Sequence, residues 1–408
     1  MSISVRSFMF LLFIGVMAAI NLPGTSMAQT APAPAPATPP EPKWYEGIKV
    51  SGFADVYYSF NFNRPDSNQN TYNGLPSNWD FYSNAFSLNT VELVFSKDPA
   101  PVGFRVDLDY GPTTDFVTCG FVNCDKATPA TGAPAPDSAF RYIQQAYVSW
   151  ATPFKVNIDY GKFVTHMGAE VIESKDNWNY TRSLLFAYAI PYYGAGARAN
   201  YAISDSLFVN GYVLNGWNDV VENNNMKTFG AEIGWTPTPK LPIVLNWIGP
   251  EECTTTSGAC PLAPNGETYS NKQVFDGIVT FNATDSLSFM VNYDYGTLKD
   301  SNDDSQHYSG AAFYARWKVD PYAVAVRYEK VIDNAGFMVG VPNDHLSEVT
   351  VTGEKTISGN LLTRLEYRYD KATKSIFEVQ DTPAAPTATP STGKDHDNRL
   401  ILSAVYMF

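Results

Sequence analysis

Charge is scarce in this chain of 408 residues: only 17 % are Asp, Glu, Lys or Arg, and the formal net charge is −13. Histidine and cysteine are scarcer still, with four of each. There is no Cys-x-x-Cys-His haem signature, no His-Glu-x-x-His metalloprotease motif and no Gly-rich phosphate loop, so sequence assigns no cofactor and no metal. An acidic balance argues against nucleic acid as a partner. Past residue 28 no apolar run approaches the ~20 residues of a spanning helix, and mean hydropathy is −0.20. Both argue against a helical membrane protein. What remains in quantity is aromatic: 25 Tyr, 25 Phe and 8 Trp. Aromatic richness with little charge fits a membrane barrel, whose apolar outer band is bordered by aromatic girdles. A secreted β-rich domain shares that composition.

Residues 1–28 read as a secretory signal. Arg6 is its positive n-region, Phe8 to Ile20 its apolar stretch and Ser26-Met27-Ala28 a small-residue cleavage site. Residues 29–46 form a Pro/Ala-rich linker (APAPAPATPPEP over 31–42) expected to stay extended. The domain proper is 47–408. Its cysteines fall in two close pairs, Cys119 with Cys124 and Cys253 with Cys260. Export favours two local disulfides. Zinc is the alternative, against which stand the wide spacings and the lack of neighbouring histidine.

From Gly47 onward, segments of period two recur. Phe104, Val106, Leu108 and Tyr110 alternate with Arg105, Asp107 and Asp109; Leu365, Tyr367 and Tyr369 alternate with Arg364, Glu366, Arg368 and Asp370. Charges in mid-strand are costly against lipid and natural on a wet inner wall. Sixteen strands are expected: 47–62, 84–97, 102–111, 140–151, 154–164, 194–203, 206–216, 226–236, 240–248, 272–283, 286–296, 308–317, 320–331, 346–355, 359–370 and 396–408. One missed or invented hairpin makes the number fourteen or eighteen. Short turns and long polar loops alternate strictly between them, the pattern of an all-β, transmembrane, antiparallel up-and-down barrel. A barrel of this size encloses an aqueous channel, so the expected function is passive passage of small hydrophilic solutes or ions.

The last strand, Arg399 to Phe408, carries Leu400, Leu402, Ala404, Tyr406 and Phe408 on one face. Ending on an aromatic residue, it resembles the terminal signal of bacterial outer-membrane barrels. By that resemblance Tyr406 and Phe408 address the chain to the barrel-assembly machinery, and its final surroundings are outer-membrane lipid.

The third long loop, 165–193, combines charges with an apolar run from Leu184 to Tyr193. A run of that kind is poorly explained by solvent and well explained by folding back into the barrel. Glu170, Glu173, Asp176 and Arg182 are then the candidate constriction. Arg105, Asp107, Arg141, Arg198, Arg327, Arg364 and Arg368 are the candidate lumen wall, and opposed charges there would select solutes by size and charge. A solvated surface loop is the alternative. The chain is similar to the OmpL-like β-barrel porins. The similarity lies in Gly52-Phe53, Tyr57-Tyr58, Asn63-Arg64-Pro65, Ile143-Gln144-Gln145-Ala146-Tyr147, Asp159-Tyr160-Gly161-Lys162-Phe163, Gly168-Ala169-Glu170, Asn179-Tyr180-Thr181-Arg182-Ser183 and Ala189-Ile190-Pro191. It implies an outer-membrane barrel with porin activity and no particular solute. Likeness to sixteen-stranded porins adds an expected homotrimer and a third loop that narrows the pore.

Two competing functions remain open. A barrel without conductance, serving as adhesin or scaffold, would share every feature above. A lipid hydrolase would use His345 and Ser347, two apart on one outward strand face, as outer-membrane phospholipases do. Serine chemistry also needs an orienting residue and oxyanion donors, which sequence does not supply, so no enzyme activity is expected.

Overall fold

The computed structural model describes residues 43, 45–119, 138–222, 226–251, 269–380 and 393–408. The signal segment, most of the linker, Cys124, Cys253, Cys260 and the side chain of Cys119 lie outside the described residues. From Gly47 the chain forms one closed antiparallel barrel of sixteen strands. The first is β1 (Lys49–Asn61). A two-residue hairpin, β2 (Thr71–Tyr72) and β3 (Leu75–Pro76), sits in the loop that follows. The wall continues with β4 (Ala85–Lys97), β5 (Val102–Tyr110), β6 (Ile143–Ala151), β7 (Val156–Val164) and β8 (Tyr193–Ser204). Next come β9 (Leu207–Leu214), β10 (Thr228–Trp235), β11 (Ile243–Glu251), β12 (Ser270–Asn282) and β13 (Leu287–Lys299). It ends with β14 (Ser305–Val319), β15 (Tyr322–Asp333), β16 (Asp344–Ile357), β17 (Leu361–Ala372) and β18 (His396–Met407). Among the described residues two α-helices lie in loops, α1 (Pro112–Cys119) and α2 (Leu184–Tyr188).

Each wall strand pairs with its sequence neighbour, and β18 closes on β1 from Phe53↔Met407 to Asn61↔Arg399. Closure leaves no row of unpaired backbone groups facing lipid, which hydrocarbon could not satisfy.

Period-two alternation sets which side chains face inward. Along β15, Tyr322, Val324, Val326 and Tyr328 are exposed, while Arg327 and Glu329 are fully buried. The same inversion runs along β17, with Leu365 and Tyr367 exposed and Arg364, Glu366, Arg368 and Asp370 buried. A soluble sandwich buries its apolar face and solvates the polar one. The reverse is found here, so the apolar face is the one that lipid covers. Exposed Phe154, Trp235, Phe281, Trp317 and Phe408 border the short-turn end, and exposed Phe86, Tyr110, Tyr142 and Tyr295 the other.

The long–short rhythm is not strict. Strands β13 and β14 run on as a paired ribbon to Lys299↔Ser305, leaving only 300–304 between them. Polar ladder positions such as Lys299 and Ser305 can pair beyond the apolar band because water tolerates them there. The turn at 236–242, on the opposite end, is longer than this loop.

Candidate functional site

Residues 165–193 leave β7 and return to β8 with their ends joined, Thr165 N donating to Tyr192 O at 2.9 Å. Gly168 has φ +87°, and a Cβ there would stand 2.6 Å from Ile190 Cδ1, so the sharp bend that starts the segment needs glycine. Ser183 caps α2 by accepting from Phe186 N at 3.0 Å. The apolar run makes this helix and the turn behind it. Leu184, Leu185, Phe186, Ala187, Ala189 and Ile190 are all buried, packed with wall residues such as Phe163, Tyr308 and Ala312.

Polar groups of the segment are met above all by the buried faces of β15, β17 and β1. Glu170 Oε1 lies 2.7 Å from Arg327 Nη1, and its other oxygen accepts from Ser183 N at 2.6 Å. Glu366 accepts from Tyr180 N at 2.6 Å and from Thr181 N at 2.9 Å. Glu329 accepts from Leu184 N and Leu185 N, placing a carboxylate on the first amides of α2. Arg364 donates to Ser174 O and Asn177 O, and Arg368 to Arg182 O at 2.6 Å. On β1, Asp55 accepts from Ser174 Oγ at 2.7 Å and Tyr180 OH at 3.1 Å. These are largely charge-assisted bonds, about twice as strong as neutral ones.

Arg182 is fully buried and spends its guanidinium on the segment itself, donating to Tyr180 O, Val171 O and Ile172 O. Its head lies 4.8 Å from the Trp79 ring. Trp79 belongs to the first long loop, which is tied in as well. Asn78 donates to Arg182 O and Ser183 O, and Arg399 binds Asp80 at 2.7 Å and Asp370 at 2.5 Å. Burial pushes the Asp80 carboxyl above its ordinary range, with Arg399 pulling the other way. Burial likewise lowers His166, which stacks on Tyr212 at 4.0 Å and faces Trp247 O.

The opposite edge of the segment is freer. The Asp176 side chain is 55 % exposed and that of Lys175 23 %, against 3 % for Glu170. Glu173 accepts from Gln144 of β6. Arg105 pairs with Asp107 at 2.9 Å and keeps 39 % of its side chain exposed; Arg198 pairs with Asp159 at 2.7 Å and keeps 19 %.

Four of the seven predicted wall residues behave as two groups. Arg327, Arg364 and Arg368 meet 165–193 directly, whereas Arg198 stands apart with the carboxylate of a neighbouring strand. Arg105 and Asp107 form their own pair on β5. Arg141 is not on a strand: it sits in the turn ahead of β6, 3.7 Å from Asp115 of α1 and beside Tyr142. The expected strand began at 140, but a short helical turn, Ser138–Phe140, occupies that position. Asp55, Asp80, Glu329, Glu348, Glu366 and Arg399 escaped selection as site residues. Alternation gave the face of those on strands, and Asp80 lies in the first long loop; nothing in sequence gave their partners. His345 and Ser347 do share the outward face with Val349 and Val351, but His345 Nδ1 has no hydrogen-bond partner among the described residues.

Residues 47–408 match the family model described as "Putative beta-barrel porin-2, OmpL-like". The chain belongs to this porin family. A search of curated proteins finds no match. Among solved structures, this porin is similar to the anion-selective porin from Comamonas acidovorans (TM-score 0.58, 8 % identity, 88 % of this chain and 99 % of that one). It is also similar to OmpT of Vibrio cholerae in its trimer form (TM-score 0.54, 12 % identity, 88 % and 99 %) and to OprB of Pseudomonas putida (TM-score 0.51, 11 % identity, 89 % and 94 %). At such identities the likeness is one of fold. Family and fold together make it an outer-membrane porin.

Proposed function

We propose that this porin is a passive diffusion channel for small hydrophilic solutes or ions, narrowed by residues 165–193. The observation that carries the reading is the two-sided character of that segment. One edge is fixed to the wall through Glu170–Arg327 and the Glu366 bonds to Tyr180 and Thr181. The other edge leaves Asp176 largely open to water and its partner Lys175 partly so, and Arg105 and Arg198 are partly exposed across other parts of the wall. A solute passing such an edge sheds part of its hydration and is sorted by size and by charge in a low-dielectric surround. Three copies assembled side by side, inserted by the barrel-assembly machinery, would place the apolar outer faces against lipid and one another.

A closed barrel acting as adhesin or scaffold is the competing reading. It is favoured by the apolar cluster joining Trp79, Phe116, Leu185, Met338 and Phe377, which come from different loops. Liposomes loaded with the purified porin and challenged with sugars, amino acids and organic anions separate the two. Swelling that falls with solute size supports the channel, and liposomes that fail to swell with any solute support the closed barrel.

A further inference from the structure

The outer face of the barrel carries a gap. At one level of the wall, register aligns Trp317, Val324, Gly353, Leu365, Leu402 and Tyr58 on neighbouring strands. All but Gly353 are bulky, and Val324, Leu365 and Leu402 are exposed. The row nearer the short turns is Tyr322, Lys355, Thr363 and Ala404, in which the last two are small. The result is a cleft of about 380 Å³ with a largely apolar lining. Backbone geometry does not require glycine at 353. A Cβ there would meet only Leu365 O, at 3.9 Å, so the position is open space rather than a tight approach.

One charge stands at the mouth of this cleft. Lys355 Nζ lies 5.5 Å from the Tyr322 ring and has no ion pair among the described residues. Carboxylates close to it in sequence and space are engaged elsewhere. Glu354 points to the opposite face and binds Arg316 and Arg364; Asp320 in the adjoining turn is held by Lys318 at 3.2 Å. The residues lie at the short-turn end, which in outer-membrane barrels is the periplasmic one. The leaflet there is made of phospholipid.

We propose that this cleft is a binding site for one anionic phospholipid of the periplasmic leaflet. An acyl chain fills the space over Gly353, between Val324 and Leu365, and the phosphate meets the Lys355 ammonium beside Tyr322. A cationic side chain at a rim attracts an anionic head group by about a factor of five. The site rests on the outer-membrane address of the chain and is independent of whether the lumen conducts.

Native mass spectrometry of the detergent-purified porin, after incubation with phosphatidylglycerol or phosphatidylcholine, tests this. Wild type is expected to retain phosphatidylglycerol preferentially. Lys355→Gln should lower that retention about fivefold, and Gly353→Leu, which fills the cleft, should lower retention of both lipids. Folding of each variant is read from its heat-modifiable gel mobility; if Gly353→Leu does not fold, Lys355→Gln decides alone, because its side chain is exposed. Equal retention of the two lipids by wild type, or unchanged retention in Lys355→Gln, overturns the proposal. So does loss of oligomer in Gly353→Leu with retained lipid unchanged, which gives the cleft to a second copy of the chain.

Discussion

Arg327 is fully buried, yet each side of its guanidinium meets an acceptor: Glu348 at 2.5 Å, Glu170 at 2.7 Å and Thr181 O at 2.7 Å. Arg368 and Arg399 repeat the arrangement with Asp370 between them. A buried charge is tolerable only when paired, and removing one partner leaves the other stranded at a cost of about 3–5 kcal/mol. Arg327→Ala should therefore destabilise the barrel by that order, seen as a lower temperature for conversion of the folded to the unfolded gel band. Lys49, whose pair with Asp98 is largely exposed, is the control; Lys49→Ala should leave that temperature unchanged. The free edge makes a different prediction. Lys175→Glu replaces a partly exposed cation beside the exposed Asp176 with an anion, so the reversal potential under a salt gradient should move toward cation preference. No movement would mean that permeating ions do not pass this edge.

At the scale of elements, the sixteen strands were legible because a membrane barrel follows one rule along most of its wall: apolar out, polar or charged in, with exceptions such as Phe163, Tyr308 and Ala312 where the wall packs on a loop. Phe104, Val106 and Leu108 against Arg105, Asp107 and Asp109 are enough to define a strand and both its faces. That rule has a direct test. Val326→Arg on the outward face should cost about 2–4 kcal/mol near the bilayer midplane, measured by reversible denaturant unfolding in vesicles. A change of similar size on the inward face, such as Asn210→Arg beside Glu232, should cost far less. The apolar run from Leu184 to Tyr193 was legible too, since solvent gives no reason for it. Loop partners were not. The first long loop looks like any polar Asn- and Ser-rich connection; its tie to the third runs through Asn78 and Trp79, about 100 positions from their partners in sequence, and Asp80 meets Arg399 of β18, 319 positions away. Arg141 shows the opposite failure, in which a local pattern was extended past a helical turn that ends it.

For the whole molecule, the carboxylates that hold 165–193 come from one arc of the wall that crosses the β18–β1 closure: Asp55 on β1, Glu366 on β17 and Glu329 on β15. The segment is thus fixed only when the barrel is closed, and closure depends on β18 reaching β1. Removal of Phe408, whose backbone N and O both bond to Gly52, should lower the yield of heat-modifiable, membrane-inserted barrel. An unchanged yield would detach the terminal aromatic from assembly. The central claim is that the closed barrel conducts past a fixed segment. Planar-bilayer recording compares the wild type with Glu366→Ala, which removes the acceptor of Tyr180 N and Thr181 N. Stable single-channel steps from the wild type, with larger or noisier steps from Glu366→Ala, are predicted; folded wild-type protein that inserts and passes no current would contradict the account.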